Sequence, residues 1–236
     1  MNQTITQLPK HALRVVADLL YPPSCVLCHR DGAFLCRSCA AQLPQADGSR
    51  CNACWLPLSG ESCWRCVARP LALTSLRSTW RYEGKVRHLV RDLKFRGYSC
   101  LAEPLAAELH ETYVGHAPDA DALIPVPLNA QRRRERGFDQ SLLLAKHLGA
   151  STGLPVLAAL ERTRYDRAQS SGLTREQRLV NVEGAFRVRQ PGEVIGGNIL
   201  LIDDIATTGA TLNACARELL TAGAASVSAL TLARED

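Results

Sequence analysis

The sequence predicts an α/β fold: a mainly parallel sheet with helices on both faces, preceded by a small metal-binding module. Three observations carry this. From residue 76 onward, short apolar segments alternate with longer amphipathic ones, the pattern of parallel strands joined by crossover helices. The run Leu200-Leu201-Ile202-Asp203-Asp204-Ile205-Ala206-Thr207-Thr208-Gly209-Ala210-Thr211-Leu212 reads as a buried strand, two acids, a hydroxyl-rich turn and a helix start. Ahead of both lie four Cys-x-x-Cys pairs. A chain of 236 residues can hold one such α/β domain and a small appendage. The organisation expected is a helical segment at 1–20, a cysteine module at 21–70 and the α/β domain at 71–236.

The N-terminal segment carries a short apolar helix, Ala12 to Leu20, interrupted by Arg14 and Asp18. Nothing in the chain approaches the ~18 apolar residues of a membrane-spanning helix. The segment also lacks a signal-peptide layout, so a cytoplasmic protein with no membrane insertion is expected.

The cysteine pairs are Cys25/Cys28, Cys36/Cys39, Cys51/Cys54 and Cys63/Cys66. Aligning Cys25 onto Cys51 brings all four into register within one residue, an internal repeat of about 26 residues. Two-residue spacing lets both thiolates of a pair face one metal, and two such knuckles complete a tetrahedral Cys₄ site. Disulfides do not suit a cytoplasmic chain. Two structural zinc ions are therefore expected, supplying much of the module's folding energy. Sequential pairing (25/28 with 36/39, 51/54 with 63/66) is the simpler outcome of a duplication; an interleaved cross-brace is the alternative. Two such centres, each of charge about −2, bring the formal net charge of +5 toward about +1. Bulk charge is thus no argument for nucleic-acid binding. Cys100 and Cys215 fall outside the pattern and read as buried small hydrophobes.

Pro70 closes the module. Leu76 to Tyr82 reads as a strand, and Gly84 opens a helix through about Phe95 that Gly97 ends. Val86, Leu89, Val90 and Leu93 make its apolar face; Arg87, Arg91, Lys94 and Arg96 lie mostly elsewhere, on a solvated face or on one that meets an anion or DNA. A second helix is expected from Leu101 to Tyr113. Ala122 to Leu128 is a short strand that Pro125 and Pro127 end in a loop. A basic loop follows, Arg132-Arg133-Arg134-Glu135-Arg136, and then a helix to about Leu148. Residues 162–181 form a long polar connection in which Thr174 and Gln177 make a capping box for a short helix at 175–181. A helix from Leu212 to Ala222 and a strand from Ser226 to Ala233 complete the chain.

The chemistry concentrates at strand ends. Ligands of open parallel sheets bind beyond the carboxyl ends of the strands. The turn before Leu212 places free helix N–H groups, Thr207, Thr208 and Thr211 hydroxyls and a permissive Gly209 where an anion would sit. Asp203 and Asp204 would repel a phosphate, so sugar hydroxyls or a magnesium ion suit them better. The arginines after Pro127 fall on the same rim and suit a polyphosphate.

The 200–212 run resembles the phosphoribosyl pyrophosphate (PRPP) signature of type I phosphoribosyltransferases. That resemblance implies that Asp203 and Asp204 hold the ribose hydroxyls. It gives the phosphate turn to Ala206, Thr207, Thr208, Gly209, Ala210 and Thr211. With Ile124-Pro125-Val126-Pro127-Leu128, Arg136-Gly137-Phe138-Asp139-Gln140-Ser141, Gln169, Arg178, Asn181, Ala185-Phe186 and the cysteine module, the whole chain resembles the ComF (GntX) family. Asp139 stands where that family more often has Asn. The resemblance implies pyrophosphate contacts from Val126, Pro127, Arg132 and Arg136, and a loop bearing Arg164, Tyr165 and Gln169 that closes over PRPP. It implies magnesium with PRPP, and a link to natural transformation and DNA uptake. Two functions remain open at this point: transfer of phosphoribose to a nitrogen acceptor, or a single-stranded-DNA-binding competence factor that uses the site as a PRPP or nucleotide sensor, working with DNA-uptake proteins. The acceptor and the oligomeric state are not written in the motifs.

Overall fold

The computed structural model describes residues 22–95, 98–116, 118–163, 182 and 184–236. The expected helix at Ala12 to Leu20, the Gly97 helix stop, the capping box and helix at 174–181, and Arg164, Tyr165 and Gln169 lie outside the described residues. By packing, the chain divides into two units, Met1–Gln42 and Leu43–Asp236. The first cysteine quartet belongs to one and the second to the other.

The repeat seen in the cysteine spacing extends to the backbone. Cys25 N donates to Arg30 O at 2.8 Å, and Cys51 N donates to Leu56 O at 2.9 Å. His29 and Trp55, each just after a knuckle, both take the left-handed conformation, at φ 60° and 59°. A short helix, α1 (Arg37–Ala40), follows in the first unit.

The larger unit runs α2 (Trp64–Ala68), β1 (Ser75–Arg81), α3 (Gly84–Phe95), α4 (Ala102–His116), β2 (Ala122–Pro125), α5 (Ala130–Arg136), α6 (Gln140–Thr152), β3 (Leu160–Arg162), β4 (Phe186–Val188), β5 (Asn198–Ala206), α7 (Ala210–Thr221) and β6 (Ser226–Arg234). Four strands form a parallel sheet in the order β1-β6-β5-β2. β3 and β4 make a separate antiparallel pair. Val156 adds a parallel bridge to Leu123 on the free side of β2. The chain therefore leaves β2 outward through α6 to Val156, and leaves β5 in the opposite direction through α7 to β6. That reversal opens a crevice between the carboxyl ends of β2 and β5, the place where ligands of doubly wound sheets bind.

β2 and the Ile199–Ile202 stretch of β5 are continuous apolar runs because both faces of the sheet are covered, while β1 and β6 also bury Ser75, Ser78, Ser228 and Thr231. Ile124, Ile199, Leu201, Val227 and Ala229 pack with Leu212, Cys215, Ala216 and Leu219 of α7. The alternate residues Leu123, Leu200, Ile202 and Leu230 are equally buried and turn to the other face, where α4 and α6 pack on each other and on the sheet.

One expectation is corrected here. The basic stretch at 132–136 is a helix rather than a loop. Asn129 caps it, its Oδ1 accepting from Gln131 N at 2.8 Å, and Gly137 ends it at φ 77°. This is the Asn-cap and glycine-stop pairing that short helices use. The helix after Ser99–Leu101 also runs further than expected, to His116. Among the described residues no helix is long and apolar enough to cross a membrane.

Candidate functional site

Asp203 and Asp204 occupy the end of β5, and neither is solvated like a surface acid. Asp203 Oδ1 accepts from Ser141 Oγ and from Asp204 N, each at 2.9 Å. Burial, and then the adjacent Asp204 charge, push the Asp203 carboxyl up to about 7, with Lys94 opposing. Asp204 is buried and pairs through Oδ2 with Lys94 Nζ at 2.8 Å. The two carboxylates thus hold different partners from different elements, Ser141 at the start of α6 and Lys94 at the end of α3.

The turn that follows is backbone-built. Gly209 has φ 73°, which a residue with a Cβ rarely adopts. Ala210 N donates to Thr208 Oγ1 at 3.2 Å, so the threonine hydroxyl holds the first helical residue. Beyond it, the first-turn N–H groups of α7 have no intrahelical acceptor. On the carbonyl side, the fully buried Arg234 donates through Nη1 to Ala206 O at 2.8 Å and also to Thr207 O. Arg65 Nη2 donates to Thr208 O.

The end of β2 supplies the opposite wall. Val126 is buried and its N–H donates to Ile202 O at 2.9 Å, tying this loop to β5; Pro127 follows half-buried. Asp139 ties the loop to α6: its carboxylate accepts from Leu128 N at 3.3 Å and Leu142 N at 3.2 Å, and pairs with Arg133 at 3.1 Å. Arg136 donates to Gln140 Oε1 at 3.0 Å and lies 4.8 Å over the Phe95 ring. Arg132 and Arg136 line a cleft of about 880 Å³ together with Arg87, Arg91 and Lys94. Tyr82 and the largely exposed Phe95 line it too.

This bears on the two readings of α3, a solvated face or an anion-facing one. Its cations are not simply a solvated face: the Lys94 side chain is only 19% exposed and ion-paired, and Arg87 and Arg91 share a cleft with α5. Their spacing of four and three residues, which puts them on one side of a helix, was the available signal. Ser141, Lys94, Arg65 and Arg234 are the residues that the motif reading did not bring to the site. Arg65 and Arg234 bond to carbonyls, which leaves no mark in sequence spacing.

Both cysteine quartets assemble sequentially, Cys25/Cys28/Cys36/Cys39 and Cys51/Cys54/Cys63/Cys66, each with all Sγ atoms within 4.8 Å of one another. The nearest S–S separations are 3.7 Å for Cys28–Cys36, 3.7 Å for Cys51–Cys66 and 3.6 Å for Cys54–Cys63. Zn–S bonds of about 2.3 Å in a tetrahedron require S–S edges of about 3.8 Å, so the donor sets fit that ion. The two clusters are consistent with two zinc sites.

Comparison with known proteins agrees with this layout. Residues 16–67 match the family described as a double zinc ribbon domain, and residues 139–236 match the phosphoribosyl transferase domain. The chain is 34% identical over 209 residues to competence protein ComFC of Bacillus subtilis, spanning 85% of this chain and 84% of that protein. It is 33% identical over 231 residues to DNA utilization protein YhgH of Salmonella typhi, spanning 92% and 99%. Among solved structures it resembles one described as the allosteric regulatory enzyme of purine biosynthesis, with 21% identity and a TM-score of 0.40, over 56% of this chain and 26% of that one.

Proposed function

For a chain that belongs to the ComFC/YhgH family, with its double zinc ribbon and phosphoribosyltransferase domain, we propose that PRPP binds in the crevice between β2 and β5 and that the protein serves DNA uptake or utilisation in the cytoplasm. The observation that carries the first half is that the buried Asp204, beside the half-buried Asp203 and the Thr-Gly turn, pairs with Lys94, one of five cations lining the neighbouring cleft. Asp203 and Asp204 accept from the ribose hydroxyls. Thr207, Thr208, Gly209 and Thr211, with the backbone at Ala206 and Ala210, take the 5-phosphate. Val126, Pro127, Arg132 and Arg136 face the pyrophosphate, and the family resemblance gives contacts to it from Arg164, Tyr165 and Gln169 as well.

Two adjacent carboxylates make an all-oxygen donor set that suits magnesium, which is usually held by one or two carboxylates plus substrate phosphates. Such an ion would neutralise charge on the pyrophosphate. The arginines do the same from the protein side and hold the leaving group in place. In a transfer, an acceptor nitrogen bonds the anomeric carbon while the bond to pyrophosphate breaks, the electron pair leaving with pyrophosphate. Zinc in the two cysteine quartets would be a structural ion, since four thiolates leave no open position.

The second reading, a single-stranded-DNA-binding sensor, is favoured by one observation. The same cleft sets Tyr82 and Phe95 among its cations, with Arg87 5.4 Å over the Tyr82 ring. Aromatic platforms beside phosphate-binding cations are what single-strand binding uses. The deciding experiment incubates the protein with PRPP, magnesium and a panel of nucleobases and nucleotides. Pyrophosphate release assigns transfer; tight PRPP binding by calorimetry without release assigns the sensor. Absence of PRPP binding overturns both.

A further inference from the structure

We infer that the second cysteine cluster is a positioning element for the phosphate turn, acting through Arg65 and Arg234, so that metal loading at Cys51/Cys54/Cys63/Cys66 sets PRPP affinity. The inference rests on the PRPP reading for its ligand, but its geometry stands apart from it. Each knuckle of the cluster contributes one tie. Arg65 lies between Cys63 and Cys66, so a metal that fixes both cysteines fixes the stem of Arg65, which is only 9% exposed and donates to Thr208 O. From the other knuckle, Cys54 O accepts from Arg234 Nε at 2.8 Å, and the same guanidinium donates to Ala206 O and Thr207 O. The knuckle is itself bonded to the sheet edge. Leu76 N donates to Asn52 O at 3.1 Å, and Trp55 Nε1 donates to Ser78 O at 3.2 Å.

Three consecutive carbonyls, Ala206, Thr207 and Thr208, therefore turn toward two guanidinium groups. In a trans peptide the C=O and the next N–H point in opposite directions, and no peptide among the described residues is cis. Holding those carbonyls on the arginine side holds the N–H groups of Thr207, Thr208 and Gly209 on the other side. Successive N–H groups aimed the same way make an anion-binding nest. The cysteine cluster thus acts on the donors a phosphate needs, without touching the phosphate.

The test measures zinc content, PRPP affinity and deuterium uptake by the amides of 207–212 in the full chain, free of ligand and with PRPP. Arg65→Ala is expected to keep its zinc, raise uptake in the turn and weaken PRPP binding about ten- to hundredfold, the range for losing one hydrogen bond to a charged group. Arg65→Lys should recover part of both losses. Cys63→Ser with Cys66→Ser should lose one zinc and loosen the same amides. Trp64→Ala, beside Arg65 but exposed, should alter none of these readouts. Unchanged uptake in both Arg65→Ala and the cysteine variant overturns the coupling. If uptake responds but the wild type binds no PRPP, the coupling stands and the PRPP reading falls.

Discussion

At the end of β5 the chemistry comes from one continuous stretch, whereas at the end of β2 it is collected from separate elements. Asp203 to Thr211 contains the acids, the hydroxyls, the glycine and the helix start, all within nine residues. The opposite wall takes Arg132 and Arg136 from α5 and Arg87, Arg91 and Lys94 from α3. One wall is made largely of backbone held by buried bonds. The other is made of long side chains on two helices. The contrast teaches that one wall is local and held by buried bonds, while the other is assembled from side chains of separate helices.

The largest expected effect breaks the local wall. Asp203→Ala with Asp204→Ala should abolish PRPP binding in calorimetry while the circular dichroism spectrum stays native; an unchanged affinity would remove the acids from the site. Next comes the assembled wall. Arg132→Ala with Arg136→Ala should weaken PRPP binding by one to two orders of magnitude, since each loses a charge-assisted bond. The same variant should flatten the salt dependence of single-stranded DNA binding by about 1.4 in log–log slope, at about 0.7 per phosphate contact. A DNA affinity indifferent to salt would take that cleft out of nucleic-acid binding.

A third experiment uses pH to separate the walls. Burial and the neighbouring Asp204 charge push the Asp203 carboxyl up to about 7, from an ordinary value of 3.8. The folded state therefore binds more protons between those values, and stability falls as pH rises through that window. Asp203→Asn should remove this slope, melting several degrees above wild type at pH 8 and level with it near pH 4. PRPP binding by the wild type should tighten as pH rises through 7, because ribose hydroxyls need the ionised acceptor. A wild-type melting temperature flat between pH 4 and 8 contradicts the assignment. The smallest effect is at the cap of α5: Asn129→Ala should cost about 1 kcal/mol in urea unfolding and loosen only the assembled wall.

How much of this the sequence disclosed follows the same division. The 200–212 run was legible because strand, acids, turn and helix are neighbours along the chain, and local patterns record local structure. The cysteine quartets were legible because metal chemistry fixes ligand spacing. The parallel sheet followed from apolar strands alternating with helices, though the extent of α4 and the helical state of 130–136 did not. The basic cleft was hidden because it is a sum over two helices whose juxtaposition only the packing decides. Asp139 shows the intermediate case: capping α6 by accepting from Leu142 N is local, but its second role, holding Leu128 N and Arg133, is tertiary.

The Lys94–Asp204 pair means that the crevice carries its own counter-ion. On the PRPP proposal, a ligand whose hydroxyls take Asp204 from Lys94 would free an ammonium that lines the same cleft as Arg132 and Arg136. A molecule with only the sugar leaves the lysine stranded; one with only the anion leaves the acid stranded. On that proposal the pair would work as a two-key lock, opened by a ligand that presents both groups at once.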